Sequence, residues 1–156
     1  MTHRASEPLS FHQVIERQGP EGLRRIPFRL AASVAPASTV KVEQPIPRDG
    51  TVERVRVRVY AGAELALRIT PYVVNEKGQR RDLIVFAGKD YIDGDDDTFE
   101  FQVREPVYLA NGDKLVVSAT NTSATYTYDF AVDIEVDFAG GVWPMWAVVD
   151  HQGGGV

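Results

Sequence analysis

The sequence predicts an all-β protein, an antiparallel β-sandwich of about eight strands. The first observation is segment 125–138, TYTYDFAVDIEVDF, in which aromatic and aliphatic residues alternate with polar, mostly acidic ones. Successive side chains of a strand point to opposite faces, so this pattern predicts one buried and one solvated face. The second observation is that segments 51–60, 64–74 and 98–104 alternate similarly. Because segment 125–138 exceeds the usual strand of about 3–10 residues, we expect a bend or bulge within it.

The length and composition restrict the class of protein. A chain of 156 residues suits one domain with a real core. Cysteine is absent, so disulfides and thiolate metal sites do not contribute. The start, MTHRASEPLS, lacks the apolar run of a signal peptide, and no apolar stretch is long enough to span a bilayer. We therefore expect a soluble protein without a secretory signal or a membrane partner.

Charge is divided unevenly along the chain. The net charge is −5, made up of +2 over residues 1–36, +3 over 37–87 and −10 over 88–156. An acidic protein without a basic, aromatic cluster lacks the positive surface that phosphate backbones require, which argues against nucleic-acid binding. Arginine outnumbers lysine by 13 to 4, and arginine is preferred for planar pairing with carboxylates. This bias indicates charge pairing within a sheet or between subunits.

Residues 1–36 are predicted to form an N-terminal arm. Ser10 to Gln13 fits a capping box that starts a short helix, and Gly19-Pro20 ends it. The following segment 23–30 is extended, with apolar and basic residues alternating, and it either adds to a sheet edge or remains a flexible terminus. The apolar residues of this arm are candidate contacts with another subunit: Phe11, Ile15, Ile26, Phe28 and Leu30.

Residues 37–138 are predicted to form the sandwich, whose first and last core segments carry opposite charges. Segment 51–60 alternates valines with Arg54, Arg56 and Arg58, and segment 125–138 has an acidic outer face. If the two strands are neighbours, these arginines lie opposite Asp133, Glu135 and Asp137 as a cross-strand ladder. Opposite-charge pairs of this kind contribute roughly 0.2–1 kcal/mol each. The alternative is two independently solvated faces.

Turn and strand signals organise the middle of the chain. Residues 75–78, NEKG, predict a hairpin turn, and Pro71 indicates a sheet edge or a bulge. Segment 82–87, DLIVFA, is apolar on both faces, which predicts a central strand covered on both sides. Asn111-Gly112 between two apolar runs is a strong hairpin signal.

The C-terminal tail, residues 139–156, departs from the strand pattern. Gly140-Gly141 acts as a hinge, and both tryptophans of the chain lie within segment 142–149. Tryptophan is enriched at interface hot spots. We therefore expect Trp143, Met145 and Trp146 to contact another subunit, or else to close one end of their own sandwich.

Sequence motifs for chemistry are weak. Asp93, Asp95 and Asp97 alternate as at the start of a calcium loop, but Thr98 and Arg104 stand where an EF-hand has Gly and Glu. A non-standard Ca²⁺ site is therefore an alternative to a solvated hairpin tip or an acidic contact patch. The three histidines lie in the terminal segments, and no nucleophile, phosphate-loop or dinucleotide motif occurs. We expect no enzyme activity and no cofactor.

The late part of the chain resembles a known architecture. The run VYLANGDKLVV, followed by SATNT and the long alternating strand, resembles the late hairpins of jelly-roll domains, where a Gly-Asp turn reverses the chain between sheets. The resemblance covers roughly residues 51–138 and concerns architecture. Domains of this plan occur in viral capsid and decoration proteins, in carbohydrate-binding modules and in trimeric receptor ligands.

A jelly-roll body with apolar arms resembles the decoration (cement) proteins of phage and virus capsids. The resemblance implies a structural protein of the virion surface, or otherwise of the cytoplasm, that forms a homotrimer. It also implies a major capsid protein or another shell subunit as partner, reached by a terminal arm.

Two other functions remain open. A carbohydrate-binding module would use Tyr72, Tyr91, Tyr108 or the tryptophans as stacking platforms, with Ca²⁺ in the acidic loop. A subunit of a larger secretion or adhesion machine would also self-assemble.

Overall fold

The computed structural model describes residues 25–84 and 88–138 of the chain, which form eight β-strands. No helix occurs in these ranges, and the predicted helix that begins near Ser10 lies outside them. The strands are β1 Arg25–Val34, β2 Thr39–Pro45, β3 Gly50–Val59, β4 Leu67–Val74, β5 Arg80–Asp82, β6 Asp97–Leu109, β7 Lys114–Asn121 and β8 Tyr128–Asp137.

The strands form two four-stranded antiparallel sheets. The first sheet has the order β1-β8-β3-β6 and the second the order β2-β7-β4-β5. Every connection except that from β4 to β5 passes from one sheet to the other, as in a double-sheet jelly roll. One apolar cluster fills the space between the sheets, which confirms the predicted sandwich. Its largest fully buried side chains include Phe130, Phe138, Leu30, Leu67, Ile69, Leu115 and Ile134.

Strand β8 lies inside the first sheet, between β1 and β3, and its predicted faces are confirmed. Phe130, Val132, Ile134 and Val136 are buried. The expected bend or bulge in segment 125–138 does not fall within β8, which begins only at Tyr128 and pairs with β1 in continuous register, but the chain bends before it at residue 125. The residues before it form a loop, in which the Ser123 hydroxyl accepts hydrogen bonds from two backbone N–H groups. The irregular register lies instead in the neighbouring strand β3.

A bulge interrupts the pairing of β3 with β6. The register shifts between Val52 and Arg54, and the partners of these two residues on β6 are Val107 and Gln102. One residue of β3 therefore faces residues 103–106 of β6, a segment that contains Pro106. Proline cannot donate to a ladder, so a bulge on an edge strand is a position that tolerates it.

Strand β1 corrects the predicted boundary of the N-terminal arm. Its ten residues pair with β8 from Arg25 opposite Asp137 to Val34 opposite Tyr128. The sandwich body therefore begins at Arg25 and not at residue 37. The reason is the alternation of apolar residues in segment 23–30, which gives β1 the same buried face as the other core strands.

The predicted turn at residues 75–78 is confirmed as the hairpin between β4 and β5. The Asn75 side-chain oxygen accepts hydrogen bonds from the backbone N–H groups of Lys77 and Gln79, each at 2.9 Å. Pro71 lies on β4 between the short ladder with β5 and an isolated bridge from Ile69 to Ile92. Proline has no N–H to donate, and at Pro71 this costs little because β4 has no continuous partner strand on the side of β5.

Asn111-Gly112 forms a turn, but the predicted hairpin is wrong. The strands on either side, β6 and β7, belong to different sheets, so this turn carries the chain across the sandwich. Gly112 has a φ of +98°, a conformation that glycine adopts without steric cost. Its N–H donates to the carbonyl of Ile46, whose own N–H donates to the carbonyl of Asp113. These bonds to the β2–β3 loop replace the pairing of a hairpin.

The described part of the apolar segment 82–87, residues 82–84, does not lie in a central strand. β5 ends at Asp82 and is a three-residue strand at the edge of its sheet. Leu83 and Ile84 are half-buried and follow it outside any strand, while residues 85–87 lie outside the described ranges. The apolar character of Leu83 and Ile84 therefore reflects packing at the side of the core.

Candidate contact surfaces

The outer face of the first sheet carries interstrand ion pairs. Arg29 on β1 and Asp133 on β8 stand directly opposite and form two hydrogen bonds, from Nε at 2.7 Å and from Nη2 at 2.9 Å. The hydrogen bond to Asp133 is the main cause that raises the pKa of Arg29 above its ordinary value, although partial burial opposes it. This planar double contact is the geometry for which arginine is suited.

The predicted ladder between β3 and β8 is present in part. The two strands are neighbours, and Arg54 lies opposite Glu135 with an ion pair of 3.4 Å. Arg56 lies opposite Asp133, but its ion pair, at 3.7 Å, is with Glu100 on β6.

The remaining members of the predicted ladder do not meet. Arg58 stands opposite Ala131 and pairs with Asp96 at 2.5 Å. Asp137 stands opposite Thr51 of β3 and Arg25 of β1. The register of β3 with β8 places Arg54 opposite Glu135 and Arg56 opposite Asp133, so Arg58 lies beyond the last of the three acidic residues.

The charges on this face alternate across all four strands. One row reads Arg29, Asp133, Arg56 and Glu100, in the order β1, β8, β3 and β6. Exposed pairs of this kind contribute little stability but help to fix strand register. This face is therefore compensated within the chain and has little charge to offer a partner.

The outer face of the second sheet carries cation–aromatic contacts. The Arg80 guanidinium lies 4.0 Å from the ring centre of Tyr72, which is only 4% exposed. Arg68 and Lys89 both lie over the ring of Tyr91, at 4.8 and 5.3 Å. Such contacts hold the aromatic faces within the protein.

These contacts bear on the tyrosines considered as stacking platforms. Tyr72 is covered by Arg80, so its ring does not face solvent. Tyr108 is 68% exposed but belongs to β6 of the other sheet. The structure therefore does not bring Tyr72, Tyr91 and Tyr108 together on one face.

The acidic loop before β6 uses its carboxylates within the chain. Asp93 accepts hydrogen bonds from the Lys89 ammonium at 3.2 Å, and Asp95 accepts one from the Gly62 N–H at 2.7 Å. Asp97 accepts one from the Asp95 N–H at 2.8 Å. In the described part of the chain, no group of three or more His, Cys, Asp or Glu side chains is placed to hold a metal ion.

The predicted contact residues divide into two groups. Ile26, Phe28 and Leu30 lie on the inner face of β1 and are buried in the core of their own chain. Their prediction as exposed subunit contacts is therefore corrected, because pairing of β1 with β8 turns them inward. The other predicted contacts lie outside the described residues: Phe11, Ile15, Trp143, Met145 and Trp146.

The two ends of the described chain lie side by side. Arg25, the first residue of β1, is the register partner of Asp137, the last residue of β8. Segments 1–24 and 139–156 are therefore attached at the same end of the sandwich, on neighbouring strands.

A cleft of about 430 Å³ opens between the end of β5 and the bulged part of β6. Sequence reasoning missed it, although Pro106 within an alternating run was a signal of an irregular edge. Its apolar lining consists of Leu83, Ile84, Phe101, Val103, Pro106 and Val107.

Exposed apolar side chains also occur in loops at the end of the sandwich that lies opposite Arg25 and Asp137. Leu65 is 59% exposed and Tyr126 64% exposed. Leu65 belongs to the β3–β4 loop, because β4 begins only at Leu67. In the described ranges no helix has the length and apolarity needed to cross a membrane.

Comparisons with known proteins give similar structures only. No family model matches the chain, and no curated protein matches it. A mitogen from Yersinia pseudotuberculosis is similar with 10% identity and a TM-score of 0.42, over 70% of this chain and 84% of that chain. The VP2 subviral particle of infectious bursal disease virus is similar with 13% identity and a TM-score of 0.43, over 80% of this chain and 34% of that chain.

A third similar structure is PliG of Aeromonas hydrophila, a periplasmic inhibitor of g-type lysozyme. It has 12% identity and a TM-score of 0.34, over 77% of this chain and 92% of that chain. The chain spans about a third of the length of the infectious bursal disease virus proteins that it matches.

Proposed function

We propose that this chain is a non-enzymatic structural protein that self-associates through its terminal segments. We assign it to the surface of a virus or phage particle, where it acts as a capsid decoration or minor capsid protein. It uses no cofactor, and its partners are further copies of itself and a shell subunit such as the major capsid protein.

The observation that carries the proposal is the attachment of both terminal segments at one end of the sandwich. Arg25 pairs with Asp137, so both segments leave from neighbouring strands. One segment contains Phe11 and Ile15, and the other contains Trp143, Met145 and Trp146. Because both segments leave the sandwich at one place, the proposal assigns these apolar residues to a single contact region, and tryptophan is among the residues enriched at interface hot spots.

The body of the sandwich supports this assignment by its surface chemistry. The outer face of the first sheet is occupied by ion pairs within the chain, such as Arg29 with Asp133. The outer face of the second sheet holds its tyrosines under arginines, such as Tyr72 under Arg80. Since interface cores are depleted in charged residues, both faces suit solvent better than a buried contact.

The viral part of the proposal rests on resemblance of plan. The eight strands and their order in two sheets agree with the jelly-roll body that decoration proteins share. This architecture serves many unrelated tasks, so the contact region at the chain ends is what selects assembly among them.

The test is the solution mass of the full chain by light scattering. We expect an oligomer, with a trimer as the leading stoichiometry. A variant with Trp143→Ser, Met145→Ser and Trp146→Ser, or one with Phe11→Ser and Ile15→Ser, should dissociate. The matched control is Tyr126→Ser, which removes an exposed aromatic side chain at the opposite end of the sandwich and should leave the mass unchanged.

A full chain that stays monomeric up to about 100 µM would contradict self-association, since that concentration detects contacts of only a few kcal/mol. The virion assignment is tested separately. Particles purified from the source that encodes this chain should contain it in stoichiometric amounts, and particles without it contradict the capsid role.

A further inference from the structure

The turn between β6 and β7 contains a reactive pair of residues. Of the three asparagines of the chain, Asn75, Asn111 and Asn121, only Asn111 is followed by glycine, and its side chain is exposed. Because glycine has no side chain, its backbone nitrogen can approach the amide carbon of the preceding asparagine closely. Attack of such a nitrogen on that carbon is one reason that asparagine is a thermolabile residue.

The folded chain holds the attacking nitrogen in a hydrogen bond. The Gly112 N–H donates to the carbonyl of Ile46 at 2.9 Å, and the Ile46 N–H donates to the carbonyl of Asp113 at 2.8 Å. Ile46 is a buried residue of the core, so this pair of bonds is firmly anchored. Before the Gly112 nitrogen can lose its proton and turn toward the side chain of Asn111, the bond to Ile46 has to break.

The backbone on both sides of the pair is fixed as well. The Asp113 N–H donates to the carbonyl of Ala110 at 3.0 Å, and Gly112 has a φ of +98°, as the third residue of a type II turn requires. The Ala110 N–H donates to the Asp113 carboxylate at 2.9 Å, and the Asn111 N–H donates to the Asp49 carboxylate at 3.0 Å. The backbone rotation that brings the two reacting atoms together is therefore opposed on both sides.

Carboxylates beside the pair oppose the same step. Glu76, in the turn between β4 and β5, lies against Gly112, where an added methyl group would collide with its carboxylate. The Asp49 carboxylate lies on the Asn111 N–H. Loss of the proton from the Gly112 nitrogen creates negative charge, which neighbouring carboxylates disfavour. Hydrogen bonding and charge therefore both slow the reaction in the folded state.

We propose that Asn111 is a site of intramolecular deamidation that the folded sandwich keeps closed and that local opening of the β6–β7 turn makes reactive. The Gly112 nitrogen loses its proton and forms a bond to Cγ of Asn111, while the bond from Cγ to Nδ2 breaks and the amide nitrogen leaves as ammonia. Water then opens the resulting succinimide ring at either of its carbonyls. The product is aspartate or isoaspartate at position 111, and the net change is the exchange of ammonia for water.

The product does not restore the original turn. Aspartate adds a further carboxylate beside Asp49 and Glu76, and isoaspartate inserts a carbon atom into the backbone between the bonds to Asp49 and Ile46. Local openings of a folded protein are normally transient. Because this reaction is irreversible, it converts a transient opening of the turn into a permanent change of the chain.

Peptide mass spectrometry of the full chain in mildly alkaline, heavy-oxygen water measures the reaction, since each event replaces the amide nitrogen with a labelled oxygen. We expect Asn111 to react at least about tenfold faster in the chain unfolded by guanidinium chloride than in the folded chain. Asn75 and Asn121 are internal controls and should remain intact in both. An unfolded chain in which Asn111 stays intact would overturn the site, and equal rates in both states would overturn its protection by the fold.

Two exposed aspartates provide matched variants. Asp49→Ala removes the acceptor of the Asn111 N–H and should accelerate the reaction several-fold in the folded chain. Asp95→Ala removes an acceptor of the same kind, that of the Gly62 N–H, at the other end of the sandwich and should leave the rate unchanged. Urea unfolding verifies that both variants fold. Equal rates for the two variants would contradict a local opening of the turn.

A final comparison separates this site from the proposed self-association. Thr51 of β3 stands opposite both Tyr108 and Asp137, so the turn after β6 lies at the end from which the terminal segments leave. The Trp143→Ser, Met145→Ser, Trp146→Ser variant should nevertheless react as slowly as the unmodified chain. A faster reaction would assign the protection to contacts between copies and overturn the hydrogen-bonded turn as its cause. A monomeric full chain with a protected Asn111 would contradict the proposed function and support this inference.

Discussion

The two long sides of this sandwich differ in how completely they close. On one side, β1 lies beside β2, and the Asn121 side chain of the second sheet donates to the carbonyl of Val34 in the first. On the other side, the three-residue β5 and the bulged β6 leave a cleft. The first side buries Leu30 and Val34 almost completely, whereas Leu83 on the second is half-buried.

The difference shows that an apolar composition does not by itself close a core. Both sides offer Val, Leu and Ile residues of the same kind, but the closed side has a strand in continuous register where the open side has the short β5 and the interrupted β6. β1 pairs over ten residues and β5 over three. The closed side therefore supplies stability, and the open side supplies a surface on which a further segment gains free energy by burial.

The largest expected effect uses the same substitution on each side. Leu30→Ala on the closed side should lower the free energy of unfolding by about 2–5 kcal/mol, because it leaves a cavity in a filled core. Leu83→Ala on the open side should cost about 1 kcal/mol or less, since its side chain is already half-exposed. Urea unfolding of the full chain measures both, and equal losses would break the comparison.

The next largest effect concerns the side-chain hydrogen bonds of Asn121 on the closed side. The Asn121 amide donates to the carbonyls of Val34 at 3.0 Å and Tyr126 at 2.7 Å, and the residue is 1% exposed. Asn121→Ala leaves these carbonyls without that donor and should cost about 1–3 kcal/mol in urea unfolding. Asn111→Ala in an exposed turn is the control, and a similar loss there would refute the assignment.

A smaller effect is expected from the ion pairs on the outer face of the first sheet. Asp133→Asn removes the charge opposite Arg29 and should cost at most about 1 kcal/mol, with the loss shrinking at high salt. A double-mutant cycle with Arg29→Gln isolates the pair, and a coupling that salt leaves unchanged would contradict a surface interaction.

The pH dependence of this pair follows from the raised pKa of Arg29. Because the folded state raises that pKa, the contribution of Arg29 is fully present below its ordinary pKa and is lost only as pH rises through the raised value. Its effect on stability should therefore stay constant throughout the neutral range. Stability curves of Arg29→Gln and the unmodified chain should run parallel between about pH 6 and pH 9.

The smallest effect on the free energy of unfolding is expected for the hydrogen bond between Arg81 and Tyr108 on the open side. Arg81→Ala removes the hydrogen bond to the Tyr108 carbonyl and should change the unfolding free energy by less than about 0.5 kcal/mol. Amide hydrogen exchange should nevertheless become several-fold faster at residues 107–109 and stay unchanged in β1. Uniform exchange changes in both strands would mean that the two sides are coupled.

The sequence by itself determined the class of fold and the faces of its strongest strands. Alternation in 51–60 and 125–138 predicted which residues of β3 and β8 are buried, because a period of two leaves no choice once one face is apolar. The hairpin at residues 75–78 was equally local, since Asn75 and Gly78 satisfy the turn with their own side-chain oxygen and backbone.

Only the tertiary structure decided which strands are neighbours and what each charged or apolar residue meets. Arg58 pairs with Asp96 because its register partner on β8 is Ala131, and Ile26, Phe28 and Leu30 enter the core because β1 pairs with β8. Asn111-Gly112 crosses between sheets because Ile46 from a distant loop holds it. The cleft arises between two consecutive strands, β5 and β6, that belong to different sheets. Such contacts depend on long-range register, which a local pattern of side chains does not encode.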